Sequence, residues 1–494
     1  MCGTVFESSS YDGGDHIAGN GRFDHARRPE RTHLDGDAHG AESIDGCHDV
    51  RPLLAFDERF DRELHPVHER IVPRPAGLPG SAPYPPAYDV AMSLDTLREE
   101  ALELQTQTVD LRRKLHQFPE IGNELPVTRE LVLESLEGLP LDITLHETTS
   151  GIAALLTGGK PGPTVLLRGD MDALPLHEDT GVEFASKTDG HMHACGHDTH
   201  TAMLSSAAKL LSARQTDIAG RVLFMFQPGE EGHHGAQFML DEGLLDLPPL
   251  PDGTPSPVTG AFALHIFTGL PAGMVATKAG AVMASADRFV IRVNGAGGHA
   301  SQPHRALDPV PIACEIVMAL QLMITRSIDV FDPAVLTVGR IEAGTTNNII
   351  PAFAEIEGTI RAISESTRVK VHDQLRRVAE HVAEAHGATA VPEVIFGYPV
   401  TSNNDAFADF TIDVATEVLG AENVRRLPNP IMGAEDFSYV LNEIPGTMMF
   451  LGGTPAGENP ATAPANHSNL VMFDESAMPK GVELYAAMAL QHLS

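Results

Sequence analysis

The sequence predicts an α/β protein built from two structural units. Short apolar runs bounded by Gly and Pro alternate with longer helical patterns, which is typical of a mixed, mostly parallel sheet covered on both faces. Between about residues 284 and 399 the order changes to strand, helix, two strands, helix and strand, the βαββαβ order of a ferredoxin-like unit. The first pattern then resumes, so this smaller α+β unit is predicted to be inserted in the larger one.

The apolar runs and helical patterns define the predicted elements of the larger unit. A helix is expected from Ser93, its N-cap, towards Phe118, because leucines recur on one face there. Strands are expected at 152–156, 164–167, 222–226, 261–267 and 447–451, and further helices at 199–212 and 479–490.

The inserted unit is predicted from alternating and amphipathic patterns. Strands are expected at 288–293, 335–341, 354–363 and 391–396, and helices at 309–328 and 366–386. The second helix is amphipathic, so we expect it to cover one face of the small sheet. The predicted division is a larger unit at 92–283 plus 400–494 and an inserted unit at 284–399.

Residues 1–91 show no helical or strand period and end in a Pro-rich stretch at 73–86. Such a segment buries too little apolar surface to offset the entropy of ordering, so we predict a disordered N-terminal extension. Its histidines could form a metal-storing tract, although their spacings are irregular.

Composition excludes several classes of function. The 67 acidic residues outnumber the 34 basic ones, giving a formal net charge of −33, and the resulting field repels nucleic acid and anionic membranes. The four cysteines are far apart and form no disulfide framework, which is typical of a reducing compartment. No secretory leader and no run of about 18 apolar residues is visible, so a cytoplasmic protein is predicted.

The densest group of metal-binding residue types is the segment HMHACGHDTH, which precedes the helix predicted at 199–212. Thiolate and imidazole groups are natural ligands of zinc and neighbouring divalent ions. Cys195 and His197 lie two residues apart, so both could bind one ion from a loop. A lone Cys or His would more often be a packed core residue, but this cluster predicts a metal site.

Two adjacent carboxylates, Glu230 and Glu231, follow the strand predicted at 222–226 in QPGEEGHHGA. Neighbouring carboxylates usually lie in solvent. At the end of a buried strand, however, one can bind a metal while the other accepts a proton from the water that the metal activates.

Four further residues stand at the ends of predicted strands or in loops. His265 lies at the end of an apolar strand and His467 in a Gly/Pro-rich loop, and each gains a ligand role only as part of the series. Asp170 and Asp172 follow another strand, where a carboxylate can hydrogen-bond a metal-binding histidine from behind.

These motifs occur together and in order in a known family. The segments LRGDMDALPL, HACGHDTHTAML, QPGEEG, GGHASQPHRALDPV, NNIIP, GTIR, GAEDFSY and HSN resemble those of the metal-dependent aminoacylases, hippurate hydrolases and auxin-amino-acid-conjugate amidohydrolases. The resemblance extends from about His116 to the C-terminus and leaves out the first ninety residues.

The resemblance implies a catalytic domain that holds two divalent ions per subunit, with an inserted lid that mediates dimerisation. It implies that Glu230 is the general base, that His299 reaches the scissile carbonyl in the partner subunit's site, and that Asn348 and Arg361 contact substrate oxygens. The metal ligands that it implies are Cys195, His197, Glu231, His265 and His467. The ions could be Zn, Mn, Co or Ni.

Four positions depart from the pattern of the family. Asn123 and Leu125 replace residues that are commonly aromatic and acidic, and Thr268 and Asn469 stand where proline is frequent. None is an implied ligand. We therefore expect them to change the pocket wall and the acyl preference rather than the chemistry.

The function predicted from the sequence is hydrolysis of N-acyl amino acids or similar small N-blocked conjugates by metal-activated water, in a homodimer or a dimer-based oligomer. Two alternatives stay open at this point. One is a dipeptidase or carboxypeptidase with the same chemistry, and the other is a metal-binding homologue without catalytic activity. The sequence specifies neither the acyl and amino-acid preference nor the metal.

Overall fold

The protein is represented by a computed structural model that describes residues 94–494. The predicted extension at 1–91, its histidines and the predicted cap Ser93 lie outside the described residues. The structure starts with a long helix, as expected from the sequence, and its elements follow in this order: α1 (Leu94–Gln117), α2 (Pro126–Leu136), β1 (Leu141–Leu145), β2 (Ile152–Thr157), β3 (Lys160–Asp170), α3 (His197–Ala213), β4 (Ala219–Gln227), α4 (Gly235–Asp241), β5 (Val258–Pro271), β6 (Val275–Thr277), β7 (Gly280–Met283), β8 (Asp287–Asn294), β9 (Gly298–His299), α5 (Pro309–Ser327), β10 (Ala334–Ala343), β11 (Ile349–Ile350), β12 (Phe353–Ala362), α6 (Glu365–Ala385), β13 (Thr389–Phe396), β14 (Thr401–Asn403), α7 (Asp405–Leu419), β15 (Val424–Arg426), α8 (Ser438–Glu443), β16 (Gly446–Thr454) and α9 (Met478–His492).

The larger sheet has eight strands in the order β1-β2-β4-β3-β5-β16-β6-β15. Its centre is parallel, because β3 pairs in parallel with β4 and β5, and β5 pairs in parallel with β16. β1, β2 and β6 add antiparallel pairings. The predicted class, α/β with a mixed and mostly parallel sheet, is confirmed. The carboxyl ends of the parallel strands meet at one edge, where the residues that follow them come together.

Both faces of this sheet are buried. In β3, Val165 and Leu167 face a core formed with α1, α3 and α9, whereas Leu166 between them faces a second core that includes Met239 and Val440. Strands that are covered on both faces need no polar alternation. This double burial explains the unbroken apolar runs in the sequence.

The second sheet is antiparallel throughout, in the order β10-β12-β8-β13. α5 and α6 pack together on one of its faces and share a separate core that contains Ile316, Ile356 and Leu375. The elements occur where the sequence predicts them. That this unit acts as an inserted lid and dimerisation domain stays a prediction.

Within the described residues, one helix, α5, is long and apolar enough to span a membrane by length and composition alone. It has 19 residues and a mean hydropathy of 1.4. However, the charged residues Glu315 and Arg326 interrupt its apolar sequence, and Ile312 and Ile316 are buried in the core of the second sheet. A helix that covers a sheet meets the same criteria, so α5 gives no reason to place the chain in a membrane.

Candidate metal centre

Cys195 and His197 lie at the start of α3. His197 is the first residue of the helix, and Gly196 before it has a left-handed backbone with φ of 90°. A side chain at Gly196 would also collide with Ile266, because its Cβ would lie 2.3 Å from the Ile266 side chain. Glycine is therefore required for the turn that directs both Cys195 and His197 to the sheet edge.

Glu230 and Glu231 lie in the turn that follows β4. The carboxylate of Asp172 accepts hydrogen bonds from both main-chain N–H groups, at 3.0 Å from Glu230 and 2.9 Å from Glu231. Gly229 and Gly232 on either side have positive φ angles. One carboxylate after β3 thus holds the turn after β4 at the same edge of the sheet.

His265 lies on β5 and His467 in the loop that follows β16. His467 has φ of 70°, which is uncommon for a residue with a side chain and costs conformational energy. Its N–H donates to the carbonyl of Ala194 at 2.9 Å, so its backbone is fixed against the loop that carries Cys195.

The five ligands predicted from the sequence converge at this edge. The Sγ atom of Cys195 is 3.4 Å from Nε2 of His265 and 3.3 Å from Nε2 of His467. His467 Nε2 is 3.2 Å from Glu231 Oε1. His197 Nε2 lies 3.9 Å from both Glu230 Oε2 and Glu231 Oε1. The structure brings all six side chains into one cluster.

Hydrogen bonds determine which nitrogen of the buried histidines faces the cluster. Nδ1 of His197 donates to the carbonyl of Asp172 at 2.9 Å, and Nδ1 of His265 donates to the carbonyl of Ile266 at 2.7 Å. Since carbonyls only accept, the protons of the neutral rings are on Nδ1. The Nε2 lone pairs of the neutral rings therefore face the cluster, as in histidines that bind a metal.

The chemistry of the site fits divalent cations. Among the described residues, His197 Nε2 is buried without any hydrogen-bond partner. Two groups of donor atoms, each within 4.8 Å of one another, share Cys195: one contains His197 and His265, and the other Glu231 and His467. A thiol, imidazoles and a carboxylate suit Zn and its neighbours. Burial raises the pKa of the Cys195 thiol, and a bound cation would reverse that shift.

Electrostatics distinguish Glu230 from Glu231. Burial, together with the charges of Glu435 and Glu231, raises the pKa of Glu230 well above its usual value. Burial alone would raise the pKa of Glu231 too, but the hydrogen bond from His467 and the charge of His197 lower it overall. Glu231 is thus held as an anion, whereas Glu230 has a higher affinity for a proton.

A buried ionic network below Glu230 was not predicted from the sequence. Arg168 on β3 is fully buried and contacts four side chains at its nitrogens. It donates to Gln227 at 2.8 Å, Asp170 at 2.6 Å, Glu435 at 2.7 Å and Asp436 at 3.3 Å. The sequence does contain one indication of this network: Arg168 is a single arginine in an apolar strand, and a buried charge needs partners. The motif GAEDFSY supplies two of them from a distant part of the chain.

Two other residues of the HMHACGHDTH segment have structural partners. His200 Nδ1 is 2.5 Å from Asp170 Oδ1, and its Nε2 accepts from the N–H of Ile266 at 2.6 Å. Asp198 Oδ2 is 2.7 Å from Arg112 Nε and 2.8 Å from His116 Nδ1. His200 and Asp198 therefore attach α3 to its neighbours rather than facing the cluster.

The predicted catalytic residue His299 and the two predicted substrate-binding residues, Asn348 and Arg361, lie on the second unit. His299 is on β9 and is exposed, and the N–H of Ala300 donates to the carbonyl of Asn348 at 3.1 Å. Arg361 is on β12, and burial lowers its pKa. Within residues 94–494, no hydrogen bond or ion pair joins any of the three to the cluster. The structure thus brings His299 close to Asn348 and, within the described residues, forms no polar contact between either of them and the candidate ligands.

The four departures from the family pattern have different surroundings. Leu125 is fully buried in the core beside α1 and α3, so the expectation that it forms a pocket wall is wrong. Asn123 donates to the carbonyl of His233 at 2.9 Å and so supports the turn that carries Glu230 and Glu231, which we call the glutamate turn. Thr268 donates to the carbonyl of Pro464 at 2.9 Å, and Asn469 to Asp179, so both fix the loop of His467.

Comparisons with known proteins agree with this geometry. Residues 166–491 match the family model described as peptidase family M20/M25/M40. The chain is 36% identical over 404 residues to thermostable carboxypeptidase 1 of Saccharolobus solfataricus, covering 81% of this chain and 98% of that protein. It is 35% identical over 388 residues to N-acetylcysteine deacetylase of Bacillus subtilis, covering 78% and 96%.

One solved structure with a similar fold belongs to a protein that is described as binding metal. It is the Bacillus subtilis YXEP protein, described as a dinuclear metal binding peptidase of the M20 family, with a TM-score of 0.66 and 32% identity. The match covers 79% of this chain and 99% of that one. The resemblance that the motifs indicated, to the family of metal-dependent aminoacylases, hippurate hydrolases and auxin-amino-acid-conjugate amidohydrolases, is confirmed.

We predict that Cys195→Ala lowers the metal content of purified protein and removes most of the rise in melting temperature that Zn²⁺ or Mn²⁺ produces, because Cys195 belongs to both donor groups. Metal analysis and thermal unfolding measure the two effects. Cys314→Ala is the matched control, since this exposed thiol lies on α5. Equal metal content in the two variants would remove Cys195 from the site.

Proposed function

The chain belongs to peptidase family M20/M25/M40, and on that premise we propose that it is a metal-dependent amidohydrolase of N-acyl amino acids or similar small N-blocked conjugates. One observation carries the proposal. Five potential ligand side chains converge at the carboxyl edge of a parallel sheet, and a sixth side chain, Glu230, lies beside them with a raised pKa.

We propose two divalent ions per subunit, held by Cys195, His197, Glu231, His265 and His467. The name of the dinuclear relative and the two donor groups that share Cys195 support this number. When bound, such ions lower the pKa of water towards about 7 and polarise the carbonyl of the amide. Zn, Mn, Co and Ni all suit this mixture of donors.

Glu230 is proposed as the general base. It accepts the proton of the attacking water and returns it to the leaving nitrogen, because an amide nitrogen must be protonated as it departs. A base that must also act as an acid works best with a pKa above that of a free carboxyl, and burial with the charges of Glu435 and Glu231 shifts the pKa of Glu230 in that direction. The turn that carries Glu230 is held by Asp172, so its carboxylate is positioned before substrate arrives.

Asp170 and Asp172 are proposed to support His197. The carbonyl of Asp172 accepts from His197 Nδ1 and orients the ring, whereas Asp170 Oδ2, 3.4 Å from His197 Nε2, places a negative charge beside the nitrogen that would bind the metal. Arg168 holds Asp170 through a hydrogen bond of 2.6 Å. A ligand that is oriented in this way needs no rearrangement when it binds a cation.

His299 is proposed to stabilise the oxyanion, and Asn348 and Arg361 to contact the carbonyl and the carboxylate of the substrate. The N–H of Ser301 donates to His299 Nδ1 at 3.1 Å, so in the neutral ring Nε2 carries the proton and is free to donate. A donor aimed at a developing oxyanion contributes strongly to acyl-transfer catalysis. The guanidinium of Arg361 suits a free carboxylate.

We propose that the inserted ferredoxin-like lid, 284–399, forms a homodimer and that His299 serves the site of the partner subunit. The absence of contacts between His299 and the cluster of its own chain, within the described residues, supports this arrangement. So do the exposed apolar side chains of Met318 and Leu322 on α5 and of Phe331 beyond it, which are 70%, 62% and 92% exposed.

Exchange between two inactive variants tests the shared site. His299→Ala and Glu230→Gln should each lose activity, and a mixture allowed to exchange subunits should regain up to about a quarter of wild-type activity, because half of the dimers are mixed and each has one intact site. If His299 acts within its own chain, the mixture stays inactive. A fully active His299→Ala variant would also contradict the proposed role.

The proposed base is tested by two neighbouring substitutions. Glu230→Gln should lower kcat by roughly a hundred- to ten-thousandfold while metal content stays near two ions per chain, because only the proton carrier is lost. Glu231→Gln is the matched comparison and should lower metal content itself. Turnover and metal analysis on the same preparations measure both, and near-normal turnover by Glu230→Gln would exclude it as the base.

A dipeptidase or carboxypeptidase is the second candidate, favoured by the 36% identity to a protein named thermostable carboxypeptidase 1. We expect higher kcat/KM for N-acetyl, N-benzoyl and longer N-acyl amino acids than for dipeptides or peptides with the same C-terminal residue. Faster hydrolysis of the peptides would favour the second candidate. Activity on none of them by the metal-loaded protein would favour a catalytically silent homologue.

A further inference from the structure

Two chain segments connect the larger sheet to the second sheet. Residues 284–286 join β7 to β8, and residues 397–400 join β13 to β14. The segments lie side by side, because the N–H of Ala286 donates to the carbonyl of Tyr398 at 2.9 Å. We call this pair of segments the crossing. Tyr398 lies in the second segment, so the position of the crossing determines the position of its side chain.

A buried ion pair fixes the crossing at the start of β8. Asp287 accepts hydrogen bonds from Arg368 at 2.8 and 2.6 Å and from the N–H of Gly397 at 3.0 Å. His372 Nε2 lies 2.8 Å from the same carboxylate, and Arg368 also donates to the carbonyl of Gly397 at 3.1 Å. The residue immediately before Tyr398 is thus held at both its N–H and its carbonyl.

Tyr398 itself reaches the glutamate turn. It is 6% exposed, and its hydroxyl donates to the carbonyl oxygen of Glu230 at 2.6 Å. The same hydroxyl accepts from the N–H of His234 at 3.4 Å. Asp172 holds the N–H of Glu230 from the other side. The main chain of Glu230 is therefore held at its N–H from the larger sheet and at its carbonyl from the crossing.

We propose that Tyr398 is a positioning residue, through which the crossing between the two sheets fixes the main chain of the base Glu230. The inference rests on the proposed function of Glu230 and extends it to a residue outside the cluster. A small displacement of a catalytic group lowers the rate steeply, because the reacting atoms must be held in near-attack geometry. Burial raises the pKa of Tyr398, so the hydroxyl stays protonated and remains a donor.

Tyr439 provides an internal comparison. It is part of the same aromatic group, with its ring centroid 6.1 Å from that of Tyr398, and its hydroxyl is 2.9 Å from His234 Nδ1. Within the described residues, however, its hydroxyl makes no hydrogen bond to Glu230. The Tyr398 hydroxyl contacts the main-chain N–H of His234, and the Tyr439 hydroxyl contacts its side chain, so removing either hydroxyl deletes one polar contact with His234. Only removal of the Tyr398 hydroxyl also frees the carbonyl of Glu230.

The test compares Tyr398→Phe with Tyr439→Phe in the full chain, with and without added Zn²⁺ or Mn²⁺. Amide hydrogen exchange of residues 229–233 is the first measurement, because it reports on the turn without requiring turnover and leaves out the amide of His234, which donates to Tyr398 directly. We expect faster exchange in Tyr398→Phe than in Tyr439→Phe. With an N-acyl amino acid as substrate, we expect kcat to fall roughly 10- to 100-fold in Tyr398→Phe, with KM and metal content near wild type.

The outcomes separate this inference from the proposed function. If wild-type protein hydrolyses N-acyl amino acids but the two variants have equal exchange and equal kcat, Tyr398 only packs, and the inference is overturned. If wild-type protein has no such activity, the proposed function fails, and the exchange difference still decides whether Tyr398 holds the turn. A loss of metal in Tyr398→Phe would also overturn the inference, because the effect would then act through the ligands.

Discussion

The buried lone pairs of His197 and His265 are the constraint on which the rest of the site depends. Each ring has its Nδ1 proton committed to a main-chain carbonyl, so in its neutral form, the form that binds a metal, each presents an unprotonated Nε2 to the cluster. Leaving such an atom buried without a hydrogen bond, as His197 Nε2 is, costs roughly 1–3 kcal/mol. A bound cation removes that cost, and the anions Cys195 and Glu231 then have a counter-charge.

The surrounding network consists of carboxylates held by main-chain and cationic donors. Asp172 binds the glutamate turn, and Asp170 contacts His200 and Arg168. Arg168 also lies against Glu435 and Asp436, so it acts as a resident cation within a cluster of buried carboxylates. Removing one partner from such a buried network is more destabilising than its net stabilisation suggests, because it leaves an unpaired charge.

Much of this arrangement could be predicted from the sequence because it is local. Cys195 and His197 are two residues apart, Glu230 and Glu231 are adjacent, and strand ends in a parallel sheet meet at one edge. The distant partners of Arg168 could not be predicted, since Glu435 lies 267 residues away and no period links the two. Tyr398 could not be predicted either, because its contact with Glu230 depends on how two chain segments cross. Leu125 was misassigned because its burial depends on the helices packed around it.

Anomalous diffraction from crystals of the protein loaded with Zn²⁺ or Mn²⁺ shows directly where metal binds. We expect two peaks per chain, roughly 3.5–4 Å apart, between Cys195, His197, Glu231, His265 and His467, with Glu230 outside the coordination of both ions. No peak among these five side chains, or metal bound only elsewhere on the chain, would mean that they do not form the metal site.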